Sequence, residues 1–307
     1  MRLRATRQLS CLRALVVSTA VCVSLAPSTA AAQVDHLHWD EPEAWAMFYF
    51  TSITLFSGLG APRAREPWSV EVGLELGNIP HLSEEQRTVG FGGTKTEDLN
   101  RSPVFARPHV TVGLPWKLSL SLAYVPPIEV YGTTPNLFAL ALERPFYESG
   151  PWTAGLRTYG QVGHVDGDFT CPHDVTNFPP GSERNPYGCD GTSQDRAIQH
   201  YIGAEVGASY RADRLWGLTP YLTLGANYLD TKFRVHAQEF GVRDRTRHSA
   251  NVWTFSLGAG VSYQISERIR WSLGLFFTPL FVTRPPDTDD ESDSLLNFRT
   301  NISFRLL

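Results

Sequence analysis

Between Val252 and Phe281, apolar side chains alternate with small or polar ones at nearly every second position. A period of two is the pattern of a β-strand with one apolar face. A polar turn at Ser266 and Glu267 divides the stretch, so the pattern predicts an antiparallel hairpin. The apolar side of its first strand carries Trp253, Phe255, Leu257, Ala259, Val261 and Tyr263.

The same alternation recurs along the chain from Val70 to the C-terminus and predicts ten strands. Short connections follow the even-numbered strands, and longer ones follow the odd-numbered strands. This alternation of turn and loop length is typical of transmembrane β-barrels. We therefore predict an all-β fold, a closed antiparallel barrel of about ten strands. The fourth strand is predicted around Thr134 to Arg144, but it contains the continuous apolar run Leu137 to Leu142, for which a helix is the alternative.

Tryptophan residues are concentrated at one end of the predicted strands. Five of them lie at or near the start of strands that run in the same direction. Indole rings are favoured where one side is apolar and the other is wet, so this group predicts an aromatic girdle at a membrane interface. Its members are Trp68, Trp116, Trp152, Trp216 and Trp271.

The first 32 residues have the features of a secretory signal peptide. Arg2, Arg4 and Arg7 precede the apolar run Leu15 to Val21, and small residues follow up to Ala32. The apolar run is too short to anchor the mature chain, so we predict cleavage near Ala32. Removing this segment removes four arginines and no acid, which changes the formal net charge from −4 to −8. An acidic surface argues against nucleic acid as a partner.

Residues 33–66 form a separate N-terminal segment, and residues 67–307 form the barrel. Asp40 and Glu41 before Pro42 mark a helix start, and Gly58 or Gly60 marks its end. Counting Tyr49 to Phe56 as a strand would give an odd number of strands. We therefore predict a helical or irregular periplasmic or plug segment.

Together, these features resemble the bacterial outer-membrane β-barrel superfamily over Trp68 to Leu307, and the strand number is similar to that of the omptin proteases and some adhesin barrels. The resemblance implies a Gram-negative outer membrane as the location. It also implies contact with the lipid bilayer and lipopolysaccharide, and insertion by the barrel-insertion machinery. No cofactor and no nucleic-acid partner are predicted, and the small-molecule solute is not identified.

The inward face of the predicted barrel carries charges of both signs and many glycines. Isolated ions in a narrow lumen are costly to desolvate, so these charges should pair. The glycines leave space for water and small solutes, or for the segment Trp45 to Leu59 as a plug. The predicted lumen-lining residues are Glu71, Glu75, Arg107, Lys117, Arg157, Glu205, Arg270 and Arg299.

Two cysteines remain after the signal peptide, Cys171 and Cys189, in the longest predicted loop. In an exported chain this pair predicts a disulfide that closes the loop. Such a closure contributes about 3 kcal/mol in the loop-entropy model.

Three hypotheses for function follow from these patterns. The first is a non-enzymatic, porin-like barrel that transports small solutes through a narrow or gated channel. The second is a closed barrel that acts as an adhesin or structural anchor through its extracellular loops. The third is a hydrolase at the outer rim, where Asp166 and Asp168 lie near His164 and His173. We predict no catalytic residue and no metal site.

Overall fold

The computed structural model describes residues 34–58, 60–212 and 217–307. Ten antiparallel strands each pair with the next along the chain, and the last pairs with the first, which closes the sheet into a barrel. The prediction of a closed ten-stranded barrel is confirmed. The strands are β1 (Val70–Asn78), β2 (Val104–Gly113), β3 (Ser119–Val125), β4 (Thr133–Ser149), β5 (Trp152–Gly167), β6 (Asp195–Tyr210), β7 (Leu218–Arg234), β8 (Arg247–Gln264), β9 (Ile269–Thr278) and β10 (Leu295–Arg305).

Side chains alternate between the inside and the outside of the barrel. In β7, Leu222 and Leu224 are each 60% exposed on the outside, whereas Tyr221 and Thr223 are buried inside. A closed sheet leaves no edge of unpaired backbone groups, and an apolar exterior matches a lipid environment. The apolar side chains of the alternating pattern therefore face outward around the barrel wall.

Among the described residues, no helix is both long and apolar enough to cross a membrane.

Strands β4 to β8 are 16 to 18 residues long and extend past the others at the end where the connections are long. We call this the outer end. Strand β4 is longer than predicted, and its continuous apolar run alternates after all. Leu137, Ala139 and Ala141 face inward and are buried, because the interior at this level is itself apolar.

The remaining short elements lie mainly in the outer connections. They include two helices, α2 (Glu84–Arg87) and α3 (Gly90–Gly93), and a 3-10 turn at Pro115–Lys117 between β2 and β3. Three short hairpins pair Thr88–Val89 with Lys95–Thr96, Ala237–Glu239 with Val242–Asp244, and Phe281–Val282 with Glu291–Ser292.

The N-terminal segment lies inside the barrel and begins at the outer end. Residues Val34–His36 pair in parallel with the outer end of β8. Helix α1 (Pro42–Ile53) follows, with Pro42 as its first residue as the sequence predicts. It is mostly apolar, with Glu43 in its first turn, and most of its side chains are buried, which is typical of a helix inside a protein. Residues 54–58 and 60–66 then run along the lumen to β1. Residues 1–32, the predicted signal peptide, lie outside the described residues.

Candidate functional site: a filled lumen below an apolar cavity

The predicted lumen charges form pairs deep inside the barrel. Arg107 Nη2 donates to Glu75 Oε2 at 2.7 Å, and both side chains are only 1% exposed. Arg299 Nη1 lies 3.7 Å from the other oxygen of Glu75. One carboxylate on β1 therefore lies between two guanidinium groups from neighbouring strands, which offsets part of the cost of burying them.

The same two arginines bind the C-terminal end of helix α1. Arg107 Nη1 donates to the carbonyl of Thr54 at 2.7 Å, and Arg299 Nη1 donates to the carbonyl of Leu55 at 2.6 Å. Tyr201 Oη also donates to Thr54 O at 2.7 Å. The last turn of α1 has no basic residue of its own. The barrel wall thus supplies the donors and positive charge that a helix C-terminus favours.

Phe56 lies between two arginines just below the helix. The guanidinium carbons of Arg107 and Arg157 are 4.4 and 4.9 Å from the centre of its ring. Arg157 Nε also donates to the carbonyl of Phe56 at 3.1 Å, and its Nη1 donates to Glu143 at 3.2 Å. Glu205 accepts the backbone N–H of Gly58 at 3.0 Å. Cation–π contacts and backbone hydrogen bonds together fix this part of the segment.

A second charge cluster lies nearer the short-turn end. Arg63 Nη2 and Arg65 Nε donate to Glu71 at 2.6 and 3.1 Å. Arg270 Nη2 donates to the carbonyl of Ala61 at 3.2 Å. Glu66, at the end of the segment, pairs with Arg305 of β10. The segment is thus bound to the wall as far as Glu66, near the short-turn end of the barrel.

Seven of the eight predicted lumen-lining residues lie inside the barrel and contact the N-terminal segment or one another. Lys117 does not. Its side chain is 59% exposed and pairs with Glu148 at the short-turn end. The prediction was wrong because Trp116 and Lys117 both have positive φ angles in a tight turn, so the alternation of β3 begins only at Ser119.

The space beside the inward glycines is filled by aromatic rings. A Cβ atom at Gly203 would lie 2.6 Å from the Tyr159 ring, and one at Gly274 would lie 2.6 Å from Tyr221 Oη. A void near Gly58 and Glu75 has a volume of about 10 Å³. Such a void holds one water molecule at most. Among the residues that the structure describes, the aromatic rings and the N-terminal segment therefore fill the lumen at this level.

A cavity of about 590 Å³ lies at the outer end, between helix α1, the barrel wall and the outer loops. We call it the outer cavity. It reaches Ile53 and Thr54 at the end of α1. The sequence alone did not predict this cavity, although apolar residues within polar loops were a signal for it. The apolar lining includes Leu37, Met47, Phe50, Ile79, Leu99, Phe105, Leu137, Phe169 and Val235.

Three outer loops, residues 79–103, 168–194 and 235–246, join over this end of the barrel, and we call them the loop cap. Lys95 Nζ donates to the carbonyl of Thr170 at 2.9 Å and to Glu239 at 3.0 Å, so one side chain of the first loop binds the other two. The structure contains the disulfide Cys171–Cys189, with a Cα–Cα distance of 5.7 Å.

Three of the predicted interface tryptophans, Trp68, Trp116 and Trp152, are more than half exposed at the short-turn end. Trp271 lies on the outside of β9, and its Nε1 donates to Thr300 Oγ1 at 2.8 Å. Trp216 lies outside the described residues.

The two rim acids of the hydrolase hypothesis are both engaged in ion pairs. Arg196 donates to both oxygens of Asp166 at 2.6 and 2.9 Å. Arg101 Nη2 lies 2.7 Å from Asp168, which also accepts the backbone N–H of His173 at 3.0 Å. His164 lies 3.6 Å from Asp166.

No family model matches the chain, and no curated protein matches its sequence. Several solved structures are similar in fold. The outer membrane protease OmpT from Escherichia coli is 10% identical, with 78% of this chain and 97% of that chain covered and a TM-score of 0.41. The attachment invasion locus protein Ail of Yersinia pestis is 13% identical, with 78% and 100% covered and a TM-score of 0.30. The toluene transporter TodX of Pseudomonas putida is 11% identical, with 89% and 78% covered and a TM-score of 0.35.

The wall itself shows where the protein resides. Its sheet is closed, its exterior is apolar, and its interior is polar and charged below α1. The connections alternate between short turns and long loops. Closed antiparallel barrels with these properties span bacterial outer membranes. The chain is an integral outer-membrane β-barrel.

Proposed function

We propose that this barrel is a gated passage for small apolar molecules, which bind in the outer cavity and cross when the N-terminal segment moves. The observation that carries the proposal is the position of the outer cavity. The cavity has a volume of about 590 Å³ and extends to Ile53 and Thr54 at the C-terminus of α1. Below this point the segment fills the lumen. A ligand in the outer cavity would therefore contact the gate directly.

The size and the lining of the outer cavity suit a small apolar molecule. Ligand sites usually occupy about 300 to 1,000 Å³ and have mainly apolar walls with a few polar groups. Apolar ligand surface that is buried in such a site contributes about 25 cal/mol per Å² to the free energy of binding. Met47 and Phe50 of α1 line this space together with Leu99 of the loop cap and Phe105 of the wall. The cavity thus offers an apolar surface on both the gate and the wall.

The contacts of the gate support movement without unfolding of the wall. Below α1, the segment is bound mostly through backbone groups, such as the carbonyls of Thr54 and Phe56 and the N–H of Gly58. The partners are the charged side chains Arg107, Arg157 and Glu205, so each of these hydrogen bonds contributes about 1.5 to 3 kcal/mol, and movement of the segment requires water to replace them. The ladder of the ten strands runs from strand to strand and, apart from the pairing of Val34–His36 with β8, does not include the segment.

Binding can be tested with 4-phenylbutanol, a soluble neutral probe, on the protein in lipid nanodiscs. Replacing Met47 by Trp adds a ring to the outer cavity and should weaken binding about tenfold, because the ring occupies part of the volume. The control is Leu222→Trp, which adds the same ring on the exposed outer face of β7. Equal affinities for both variants would contradict the proposed site.

Passage can be tested by conductance in planar bilayers. The full chain should show rare openings, and a chain without residues 34–66 should show a steady open level, because the lumen then loses the groups that fill it. Conductance equal to that of protein-free lipid for both chains would contradict a gated passage.

The outer loops favour the adhesin or anchor hypothesis as a second candidate. Phe91, Ile128, Tyr131, Phe240 and Val242 are all more than half exposed in these loops. Apolar side chains that lie together on a surface mark sites that bind partners, and Phe240 lies against Gly188 of the loop that the disulfide closes. The double variant Cys171→Ser with Cys189→Ser should then reduce attachment of cells that display the barrel. Unchanged attachment would argue against this function.

A rim hydrolase is not proposed, because Asp166 and Asp168 are each engaged by an arginine. Substitution of Asp166 by Asn should therefore leave any hydrolysis by the purified protein unaltered. Contact with lipopolysaccharide and insertion by the barrel-insertion machinery stay predictions.

A further inference from the structure

The loop cap contains more buried acid than buried base at the edge of the outer cavity. Lys95 is almost fully buried, and its Nζ lies 3.0 Å from Glu239 and 3.5 Å from Glu97. One ammonium group therefore faces two carboxylates. Asp195 is a third buried acid nearby, but three donors satisfy it: the backbone N–H groups of Thr170 and His236, and the hydroxyl of Ser193.

Glu97 is the acid of this group that lines the outer cavity. Its side chain is 12% exposed, and Oε2 is buried without a hydrogen-bond partner among the described residues. Leaving a buried acceptor unsatisfied is costly, and a ligand that donates to it removes that cost.

A second carboxylate lines the outer cavity from helix α1. Glu43 accepts the backbone N–H of Gly92 through Oε1, while its Oε2 is buried and also has no hydrogen-bond partner among the described residues. Glu43 and Glu97 thus reach the cavity from the gate and from the loop cap, on either side of the turn that contains α3.

The cationic groups around the outer cavity do not balance these acids. Arg101 is bound by Asp98 and Asp168 at 2.8 and 2.7 Å. His248 Nδ1 lies 3.7 Å from Asp35, and Lys232 is exposed. Burial raises the pKa of Glu97 to about 8, and burial also raises the pKa of Glu43. Burial is the largest cause of both pKa shifts, and the charge of Lys95 beside Glu97 offsets only part of it.

We propose that the outer cavity takes an amphipathic amine, whose apolar body lies against α1 and the wall and whose ammonium group binds Glu97, with Glu43 as a second acceptor. This inference rests on the proposed binding function of the cavity. The ammonium group supplies the positive charge that Lys95 cannot give to both Glu97 and Glu239. An apolar carboxylate would bring a further negative charge to the same place and is disfavoured.

The test compares three ligands with one body and different head groups: 4-phenylbutylamine, 4-phenylbutanol and 4-phenylbutyrate. Calorimetry on the full chain in zwitterionic nanodiscs at pH 7 should show the amine binding about tenfold or more tightly than the alcohol, and the carboxylate binding most weakly. Equal binding of amine and alcohol would overturn the inference but leave the proposed apolar site intact. Absence of binding by all three would overturn both.

A variant of Glu97 tests the position of the ammonium group. Glu97→Gln should remove most of the preference for the amine and leave the affinity for the alcohol nearly unchanged. The matched control is Glu84→Gln in the same loop, because Glu84 is exposed. Folding of both variants is checked by the shift in gel mobility on heating. Retention of the full preference in folded Glu97→Gln would overturn the assignment.

Proton release provides an independent measurement on the unmodified protein. At pH 7 the Glu97 carboxyl, which faces Lys95, Glu239 and Asp195, is mostly protonated, and an ammonium group favours its ionised form. Amine binding should therefore release close to one proton, seen as a dependence of the binding enthalpy on the ionisation enthalpy of the buffer. Alcohol binding should release none. Equal release with both ligands would contradict the model.

Discussion

The two halves of the barrel interior share one wall and differ in what fills them. In the outer half, helix α1 leaves a cavity of about 590 Å³ along one side. In the inner half, residues 54–58 and 60–66 leave a void of only about 10 Å³. The conformation of the chain explains the contrast. A helix satisfies its own backbone, so the wall can bind it only by side chains and at its ends.

The irregular part of the segment presents free backbone groups that the wall can bind. Arg107, Arg157 and Arg299 bind its carbonyls, and Glu205 binds an N–H. Polar residues of the wall are therefore used where the segment is irregular, and apolar ones are used where it is helical. From this contrast we expect the irregular part of the segment to be held rigidly by charged side chains, and the outer cavity to adapt to a ligand.

The largest expected effect comes from the inner half. Arg107→Ala removes the nearer of the two guanidinium groups beside Glu75 and two hydrogen bonds to the segment, at Thr54 and Leu55. Breaking a buried pair in this way should lower the free energy of unfolding by about 3 to 5 kcal/mol. This loss can be measured by urea unfolding, with tryptophan fluorescence as the signal. Arg305→Ala, at the partly exposed pair with Glu66, is the control and should cost far less.

The next effect concerns the loop cap. Replacing Cys171 and Cys189 by Ser opens a loop with a sequence separation of 18 residues. The loop should lose about 3 kcal/mol of local stability, because its unfolded state gains conformational freedom. Limited proteolysis should then cut residues 168–194 faster, while the barrel core stays resistant. Equal cutting rates before and after the change would show that other contacts hold the loop.

A pH effect should also be confined to the loop cap. The folded state holds the proton of Glu97 up to a pKa of about 8, whereas an unfolded Glu loses it near 4.5. The folded cap thus binds more protons between these values, and its stability should fall as pH rises, by at most about 1.4 kcal/mol per pH unit. Hydrogen exchange of residues 79–103 measures this. Glu97→Gln should flatten the dependence, and a slope that persists would exclude Glu97 as its source.

The smallest effect is expected for a single neutral contact in the inner half. Ser262 Oγ accepts the backbone N–H of Ala61 at 3.0 Å and also bonds Ser272 Oγ at 2.9 Å. Ser262→Ala should lower the free energy of unfolding by about 1 kcal/mol. The same urea unfolding assay measures it. A loss of stability as large as that of Arg107→Ala would contradict the expectation that contacts of charged side chains contribute most of the stability of the inner half.

The sequence predicts the wall of the barrel well because alternation with a period of two is a local signal. Leu222, Leu224, Tyr221 and Thr223 take the faces that their order in the chain requires. The signal fails where the strand has not yet begun, as at Lys117. The helix start at Pro42 is also local, so it is predicted as well.

The outer cavity could not be predicted in the same way, because its lining comes from distant parts of the chain. Met47 lies on α1, Leu99 in the loop of residues 79–103, and Phe169 in the loop of residues 168–194. No spacing in the sequence connects these residues. The lumen charges show the same limit. Their pairing follows from the cost of isolated ions, yet their backbone partners at Thr54, Leu55 and Phe56 require the folded path of the segment.

The seam between β1 and β10 has a consequence for biogenesis. Strand β1 follows the N-terminal segment directly and pairs with β10, so the ring closes only when all ten strands are present. Helix α1 precedes every strand of the wall in the chain. Closure of the ring between β1 and β10 therefore encloses a segment that was synthesised before the wall.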